Sequence, residues 1–194
     1  MFTGLVQDRG TVATLERAEE GVVIRIATTL ADELAEGDSI AVNGVCLTVS
    51  EVDGAGFSAE VMNETLARSS LGGADAGATV NLELPLRASD RLGGHVVLGH
   101  VDGGGTVTEV QQDGFARRVT IEASPELMRY LVPKGSIAVD GVSLTVAGLD
   151  ERSFTVSLIP QTLQRTNLGA AEPGTTVNLE VDVLAKYVER LVSR

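Results

Sequence analysis

Apolar and polar residues alternate in short runs along most of this chain, and Gly, Asp or Pro separates one run from the next. Residues 21–26, 119–122 and 154–158 show the pattern clearly. Alternation is typical of β-strands, in which successive side chains point to opposite faces. Short strands at this spacing predict a small antiparallel barrel or sandwich rather than a parallel sheet with crossover helices.

One short stretch occurs twice along the chain. It reads SIAVNGVCLTV at residues 39–49 and SIAVDGVSLTV at residues 136–146. Each copy predicts a β-hairpin, because Asn-Gly and Asp-Gly tolerate the positive φ angles of a tight turn between two strands.

The repeat extends well beyond the hairpins. Further matches pair residues 65–72 with 162–169, 80–83 with 177–180, and 10–12 with 105–107. The sequence therefore predicts two homologous domains, residues 1–96 and 97–183. Residues 86–94 follow neither repeat pattern and combine Ser, Asp, Gly and charged residues, which indicates a linker.

Helical periodicity is confined to short segments. Residues 29–34 and 125–132 predict short helices that each plug one end of a barrel. Residues 184–194 predict a third helix whose apolar stripe contains Leu184, Tyr187, Val188, Leu191 and Val192. A helix this short is marginal alone in water, so its stripe must be covered by other subunits or by its own barrel. The pattern favours neither.

Charge and cysteine content exclude several classes of function. The formal net charge is −12 and no cluster of Lys and Arg is present, which excludes nucleic acid as a partner. One cysteine cannot form an internal disulfide, and one cysteine with two histidines is too few for a thiolate or imidazole metal cage. We therefore expect no structural metal, while carboxylate sites for hard cations are left open. No stretch has the roughly 18 apolar residues of a membrane span, so we expect a cytoplasmic protein without a membrane partner.

The two hairpins differ in chemistry at one strand position, where Cys46 in the first copy is Ser143 in the second. If Val45 and Leu47 face a core, Cys46 must face the other way, and the same parity turns Ser143 outward. An isolated Cys in a Val-rich strand is most often a small buried hydrophobe, and a strand Ser usually bonds a neighbour. A thiol and a hydroxyl at matched, outward positions favour a chemical role instead.

Two further polar residues occur in only one copy. His100 aligns with Leu5, so the second copy has gained an imidazole suited to proton transfer, although a histidine bonded to a loop carbonyl is as common. Asp182 aligns with Pro85 and predicts either a helix N-cap or a carboxylate that orients a hydroxyl or a histidine. His95 lies at an odd strand separation from His100, so the two rings do not form a ligand pair.

Several motifs occur together in one order: MFTGLV at residues 1–6, NGVCLTV at 43–49, GGH at 93–95, GHVDG at 99–103, DGVSLTV at 140–146 and IPQTL at 159–163. With these motifs the chain resembles the α-chain type of riboflavin synthase over essentially its full length. The resemblance implies an all-β fold of two homologous Greek-key antiparallel β-barrels, with short helices and a C-terminal α-helix that forms a homotrimer. It also implies a reaction without added cofactor. Two molecules of 6,7-dimethyl-8-ribityllumazine exchange a four-carbon unit, giving riboflavin and 5-amino-6-ribitylamino-pyrimidinedione.

The resemblance also implies an active site between the N-terminal barrel of one subunit and the C-terminal barrel of its neighbour. Cys46, His100, Ser143 and Asp182 would be its catalytic residues. The first side would be lined by Phe2, Thr3, Ser39, Cys46, Thr48 and Met62, and the second by His100, Lys134, Ser143, Thr145 and Asp182. Further contacts to the ring and the ribityl chain, largely through backbone groups, would come from Gly4, Leu5, Val6, Leu47, Glu60, Val61, Asn63, Glu64, Thr65, Gly99, Val101, Leu144, Ser157, Leu158, Ile159, Pro160, Gln161 and Thr162.

Our mechanistic hypothesis is that Ser143, Cys46 or an activated water adds to the electron-poor ring while His100 moves protons at an acidic methyl group. A non-catalytic lumazine or flavin carrier of the same fold is the main alternative, and it would be expected to lack reactive groups in one copy. A flavin reductase barrel would carry an Arg-x-Tyr-Ser or Arg-x-Tyr-Thr signature, which neither Tyr130 nor Tyr187 provides. An association with lumazine synthase, the enzyme that makes the substrate, is left open.

Overall fold

The two repeated stretches fold into the hairpins that their turn residues predict. In the computed structural model, which describes residues 1–192, Asn43 and Gly44 have φ angles of 46° and 75°. Asp140 and Gly141 have φ angles of 46° and 76°. Paired positive φ angles are those of a type I′ turn, whose twist matches that of the flanking strands.

The first copy forms a closed barrel of antiparallel strands, namely β1 (Asp8–Ala18), β2 (Gly21–Ala27), β3 (Ser39–Val42), β4 (Val45–Asp53), β5 (Gly56–Met62) and β6 (Thr79–Glu83). Around the barrel the order is β1, β2, β5, β4, β3, β6. Strands β3, β4 and β5 form a meander, and β2 pairs with β5 instead of β3, which is Greek-key connectivity.

The second copy repeats this architecture with β7 (Gly103–Asp113), β8 (Ala116–Ala123), β9 (Ser136–Val139), β10 (Val142–Leu149), β11 (Ser153–Leu158) and β12 (Thr176–Val181). The equivalent strands have the equivalent neighbours, in the order β7, β8, β11, β10, β9, β12. The predicted fold class, two Greek-key antiparallel barrels, is therefore confirmed.

Strand alternation has the predicted effect on the two matched hairpins. In β4, Val45 and Leu47 are buried in the first core, whereas Cys46 is half-buried on the opposite face. In β10, Val142 is buried in the second core and Ser143 is half-buried. The thiol and the hydroxyl thus lie on the outer surfaces of their barrels.

Short helices connect the strands. A 3₁₀ turn (Ala31–Glu33) and α2 (Pro125–Met128) occupy the segments for which short helices are predicted. The structure also contains α1 (Asn63–Arg68), α3 (Pro160–Arg165) and the 3₁₀ turns Ser70–Gly73 and Asn167–Ala170, which the sequence analysis did not predict. One or two turns are too few for a helical period to emerge from the sequence. Within residues 1–192, no helix is long and apolar enough to cross a membrane.

The C-terminal helix, α4 (Val183–Val192), forms in the predicted segment, of which residues 193 and 194 lie outside the described residues. Polar contacts attach it to its own barrel. Lys186 Nζ lies 2.5 Å from Asp102 Oδ1, and the Tyr130 hydroxyl donates to Glu189 at 2.6 Å. The barrel leaves the apolar stripe uncovered, because between 58% and 75% of each side chain is exposed in Leu184, Tyr187, Val188, Leu191 and Val192.

The two barrels meet through equivalent residues. Phe2 forms an antiparallel bridge with Val97, and both side chains are buried between the barrels. The two hairpin turns also touch. A Cβ atom added to Gly44 would lie 2.7 Å from the backbone nitrogen of Gly141, and one added to Gly141 would lie 2.7 Å from that of Gly44. Only glycine allows this approach at a positive φ angle.

A polar network ties each turn to the opposite barrel. Asn43 accepts the backbone N–H of Asn81 through Oδ1 at 2.7 Å and the side-chain amide of Asn178 through its carbonyl at 2.8 Å. Asp140 mirrors this, accepting the backbone N–H of Asn178 at 2.7 Å and the side-chain amide of Asn81 at 2.9 Å. Asn167 donates to the second Asp140 oxygen at 2.8 Å. The relative position of the barrels is therefore set by buried hydrogen bonds as well as by apolar contact.

Asp140 is the titratable member of this network. Burial raises its pKa from the ordinary 3.8 to about 6, an effect that the hydrogen bonds from Asn178 and Asn167 only partly oppose. The folded protein therefore holds this proton to a higher pH than the unfolded chain does. The contribution of Asp140 to stability is full below about pH 4 and is lost as the pH rises through about 6.

We predict that Asp140→Asn, which introduces the residue of the first hairpin, removes this pH dependence. From pH 4 to pH 7 the free energy of unfolding of the unsubstituted protein should fall by about 2 to 3 kcal/mol relative to that of the variant. Urea unfolding at a series of pH values measures the difference, with Asp150→Asn at an exposed turn as the control. Parallel pH profiles for Asp140→Asn and the unsubstituted protein would contradict a raised pKa.

Candidate functional site

Two short segments, residues 3–6 and 98–101, precede their barrels at equivalent places, and we call them the front segments. A buried glutamate at the end of the last strand of each barrel holds the backbone of one segment. Glu83 accepts the backbone N–H groups of Thr3 and Gly4 at 2.6 and 2.9 Å. Glu180 accepts those of Leu98 and Gly99 at 2.7 and 2.9 Å. The two copies are thus anchored by the same interaction.

Burial raises the pKa of both glutamates, and the hydrogen bonds from the front segments partly oppose that effect. The carboxyl of Glu83 also accepts the Thr3 hydroxyl at 2.7 Å. Glu180 also accepts the backbone N–H of His100 at 3.1 Å. Each buried carboxyl therefore fixes several consecutive backbone donors, which gives the front segments a defined path.

Each front segment crosses to the opposite barrel. The carbonyl of Gly4 accepts the backbone N–H of Ser143 at 2.8 Å, and the carbonyl of Gly99 accepts that of Cys46 at 2.9 Å. A Cβ atom on Gly4 would lie 2.5 Å from the Ser143 Cβ, and one on Gly99 would lie 2.6 Å from the Cys46 Cβ. The close approach of the two backbones therefore requires glycine at both places.

This exchange creates two related clefts, each built from one barrel and the front segment of the other copy. The Ser143 cleft has a volume of about 310 Å³ and is lined by Gly4, Leu5, Val6, Val142, Ser143, Ile159, Gln161, Thr162, Arg165 and Thr166. The Cys46 cleft has a volume of about 200 Å³ and is lined by Val45, Cys46, Glu64, Thr65, Arg68, Ser69, Gly99, His100 and Val101. An adjoining hollow extends the Cys46 cleft along β4 and β5 to Thr48, Glu60 and Met62.

The Ser143 hydroxyl is paired with an imidazole. His95 Nδ1 lies 2.7 Å from Ser143 Oγ. Burial lowers the pKa of His95, whereas the negative charge of the nearby Asp182 raises it to a smaller extent. The Nε2 atom of the same ring is buried without a hydrogen-bond partner among residues 1–192. A hydroxyl, an imidazole of lowered pKa and a carboxyl group thus lie close together, an arrangement that suits a nucleophile with a neighbouring base.

His95 is the residue that sequence reasoning missed. His100 and Asp182 were found because they differ from the residues that match them in the first copy. His95 lies one position before Val96, the residue that matches Met1. The first copy therefore has no residue with which to compare it. The GGH motif at residues 93–95 was a signal for this position, but it did not indicate which side chain His95 would contact.

His100 lies in the Cys46 cleft, not beside Ser143. The family resemblance had implied that His100 and Ser143 line the same side of the site. Since the front segments cross, the structure brings His100 to Cys46 and brings Leu5 to Ser143 within one chain. Asp182 lies near His95 and also accepts the backbone N–H of Leu184 at 2.9 Å, so it caps the start of α4 as predicted.

The remaining predicted residues divide into two groups. Side chains of Leu47, Val61 and Leu158 lie in the barrel cores, so only their backbone groups can reach a ligand. Phe2 and Thr3 are buried as well, Phe2 between the barrels and Thr3 against Glu83. Exposed or half-exposed positions are Leu5, Val6, Ser39, Thr48, Glu60, Met62, Asn63, Glu64, Thr65, Val101, Lys134, Leu144, Thr145, Ser157, Ile159, Pro160, Gln161 and Thr162.

Comparison with known proteins identifies the repeated unit. The family model described as the lumazine binding domain matches residues 3–85 and again residues 98–182. The chain is 50% identical over 198 residues to the riboflavin synthase of Mycobacterium bovis, with 99% of this chain and 98% of that protein covered. It is 46% identical over 193 residues to the riboflavin synthase of Actinobacillus pleuropneumoniae, with 99% of this chain and 90% of that protein covered.

Solved structures show the same fold at lower sequence identity. LumP complexed with 6,7-dimethyl-8-(1'-D-ribityl) lumazine superposes with a TM-score of 0.85 at 22% identity, covering 93% of this chain and 99% of that one. LumP complexed with riboflavin superposes with a TM-score of 0.87 at 23% identity over the same shares of the two chains. Taken with the full-length relatives, the repeated domain match shows that this chain belongs to the riboflavin synthase family and carries two lumazine-binding domains.

Proposed function

We propose that this protein is a riboflavin synthase. It transfers a four-carbon unit between two molecules of 6,7-dimethyl-8-ribityllumazine and releases riboflavin and 5-amino-6-ribitylamino-pyrimidinedione. The observation that carries the proposal is the pair of related clefts, one with Cys46 and one with Ser143. Relatives named riboflavin synthase, 46% and 50% identical over 99% of the chain, support the same reaction.

Two clefts of common design suit a reaction between two copies of one substrate. Holding both reactants in a fixed geometry converts a bimolecular step into an effectively intramolecular one. The two molecules must nevertheless react differently, because one gives carbon atoms and the other receives them. The unequal side chains supply that difference, since His95 and Asp182 accompany Ser143 whereas His100 accompanies Cys46.

In the proposed mechanism Ser143 acts as a nucleophile with His95 as its base. Oγ of Ser143 adds to the electron-poor ring of one substrate while its proton moves to Nδ1 of His95, across the 2.7 Å hydrogen bond. The carboxylate of Asp182 stabilises the resulting imidazolium. In the other cleft, His100 accepts a proton from the acidic methyl group of the second substrate. His100 thus keeps the role expected from the sequence, and His95 is added as the base for Ser143.

The direct test of the proposed function uses the purified protein and the ribityllumazine alone. We expect riboflavin to accumulate, measured by its absorbance and fluorescence, with one riboflavin formed for every two substrate molecules consumed. A carrier protein would change the emission of the bound lumazine without forming a product, and that outcome would refute the proposal.

We predict that His95→Gln lowers kcat by about 10² to 10³, the usual loss when a general base is removed. The unsubstituted protein should lose activity on the acid side as His95 becomes protonated, at a pH below the ordinary pKa of 6.5 because burial lowers that pKa. Asp182→Asn keeps the helix cap but removes the negative charge that raises the pKa of His95. The acid limb of the pH–activity profile, where activity falls as His95 is protonated, should therefore move to lower pH.

Ser153→Ala, on β11 and outside both clefts, serves as the control for Ser143→Ala. Ser143→Ala should reduce kcat to a similar extent as His95→Gln, because the two residues act as a unit. An acid limb that stays in place in both Asp182→Asn and His95→Gln would exclude His95 as the base.

We also propose that the protein acts as a homotrimer in which α4 contacts other subunits. The support is the exposed apolar stripe of α4, which the helix's own barrel leaves uncovered. A cytoplasmic location would keep the Cys46 thiol reduced. An association with lumazine synthase stays a prediction.

We predict that Leu191→Glu, in the last turn of α4 and within the exposed stripe, dissociates the oligomer. Light scattering on a sizing column should give about three times the mass of one chain for the unsubstituted protein and a smaller mass for the variant. Arg190→Gln on the same helix is the matched control and should leave the mass unchanged. A monomeric mass for the unsubstituted protein at micromolar concentration would rule out the trimer.

A further inference from the structure

The two clefts differ in net charge, because acidic residues at the Cys46 cleft have uncharged equivalents in the second copy. The Cys46 cleft contains Arg68 on α1, and its guanidinium is paired with the carboxylate of Glu64 one helical turn earlier. The Ser143 cleft contains Arg165 at the equivalent place on α3, but the residue one turn earlier is Gln161. Arg165 has no ion pair within residues 1–192, and no acidic residue lines this cleft.

A second position also has a negative charge in the first copy and none in the second. Glu60 on β5 lines the hollow that extends the Cys46 cleft, whereas its equivalent on β11 is Ser157. Directly across from Ser157 in the neighbouring strand lies the exposed Arg118. Directly across from Glu60 lies Val23. The first copy therefore has a carboxylate beside its cleft, whereas the second copy has an uncharged serine there and a guanidinium on the neighbouring strand.

A negative charge also lies near Ser143, because Asp182 is close to His95, the hydrogen-bond partner of Ser143. The carboxylate of Asp182 therefore disfavours the binding of an anionic group near Ser143. Arg165 is the last residue of α3, and the neighbouring Thr162 and Thr166 also line the cleft. An anionic group on a ligand would thus be favoured at the α3 end and disfavoured at the Ser143 end.

We propose that the Ser143 cleft binds a flavin with a phosphate on its ribityl chain, such as flavin mononucleotide, more tightly than the Cys46 cleft does. A guanidinium without a carboxylate partner can donate two parallel hydrogen bonds to phosphate oxygens. In the Cys46 cleft the equivalent guanidinium is neutralised by Glu64, and Glu60 repels an anion. The inference rests on the proposed function, because it takes both clefts to be sites for lumazine and flavin rings.

Such selectivity has a consequence for the reaction. Phosphorylated flavin would occupy one of the two clefts, and a reaction that needs both substrates at once would stop. Flavin mononucleotide would therefore inhibit the formation of riboflavin more strongly than riboflavin does. The inhibition would be competitive, since the phosphorylated flavin and one substrate molecule share a cleft.

The test compares the affinities of flavin mononucleotide and riboflavin, measured by quenching of flavin fluorescence in a low-salt buffer. The readout is the dissociation constant of flavin mononucleotide divided by that of riboflavin. A variant that weakens the binding of both flavins equally leaves this ratio unchanged. We expect Arg165→Gln to weaken flavin mononucleotide binding about fivefold to tenfold relative to riboflavin, the loss of one partly exposed charged contact. Gln161→Glu, which restores the ion pair of the first copy, should change the ratio in the same direction.

Arg68→Gln tests the other cleft, and Arg152→Gln, an exposed arginine outside both clefts, controls for the overall charge. Neither should change the ratio at the tighter site. A ratio that is unaffected by Arg165→Gln and Gln161→Glu, or that rises with Arg68→Gln instead, would overturn the proposal. The measurement uses flavins alone, so it stands whether or not the protein forms riboflavin, and a failure of the proposed function is seen separately in the lumazine assay.

Discussion

The hydrogen bonds between two buried glutamates and the backbone of the front segments are the interaction on which both clefts depend. Burying a carboxylate is costly unless several donors compensate it, and here consecutive N–H groups do so. The carbonyl of each segment then bonds the opposite barrel at Ser143 or Cys46. Because both ends of the connection use backbone groups of the segment, its path needs glycine at Gly4 and Gly99 but does not depend on the side chain that follows. Leu5 and His100 can therefore differ while occupying equivalent places.

Much of the fold could be predicted because its determinants are local. The alternation in β4 and β10 and the Asn-Gly and Asp-Gly turns act over a few residues, and each led to the observed hairpin. The duplication then supplied the number of barrels. The helices α1 and α3 could not be predicted, because they are one or two turns long and their apolar residues, such as Leu66 and Leu163, pack on barrels whose shape is set by distant strands.

The composition of the clefts could be predicted only in part. The outward positions of Cys46 and Ser143 follow from strand parity, which is a local property. The residues that face Cys46 and Ser143 do not follow from strand parity, because a front segment from the other copy completes each cleft. Comparison of the two copies found His100 and Asp182, which have counterparts in the first copy. It could not find His95, which precedes the first matched residue, and it could not show that Ser143 would meet His95 rather than His100.

In the matched strands β4 and β10 the chemical difference between the two copies lies at an outward position. Side chains packed in a dense core cannot change independently of their neighbours, and Val45 and Leu47 have Val142 and Leu144 as their equivalents in the second copy. Outward positions carry no such constraint, and they hold the differences in thiol, hydroxyl and charge. A reaction between two identical molecules needs two sites of the same shape and different chemistry. A duplicated barrel meets that need directly, because its cores keep the shape while its outward residues at β4, α1, β10 and α3 set the chemistry.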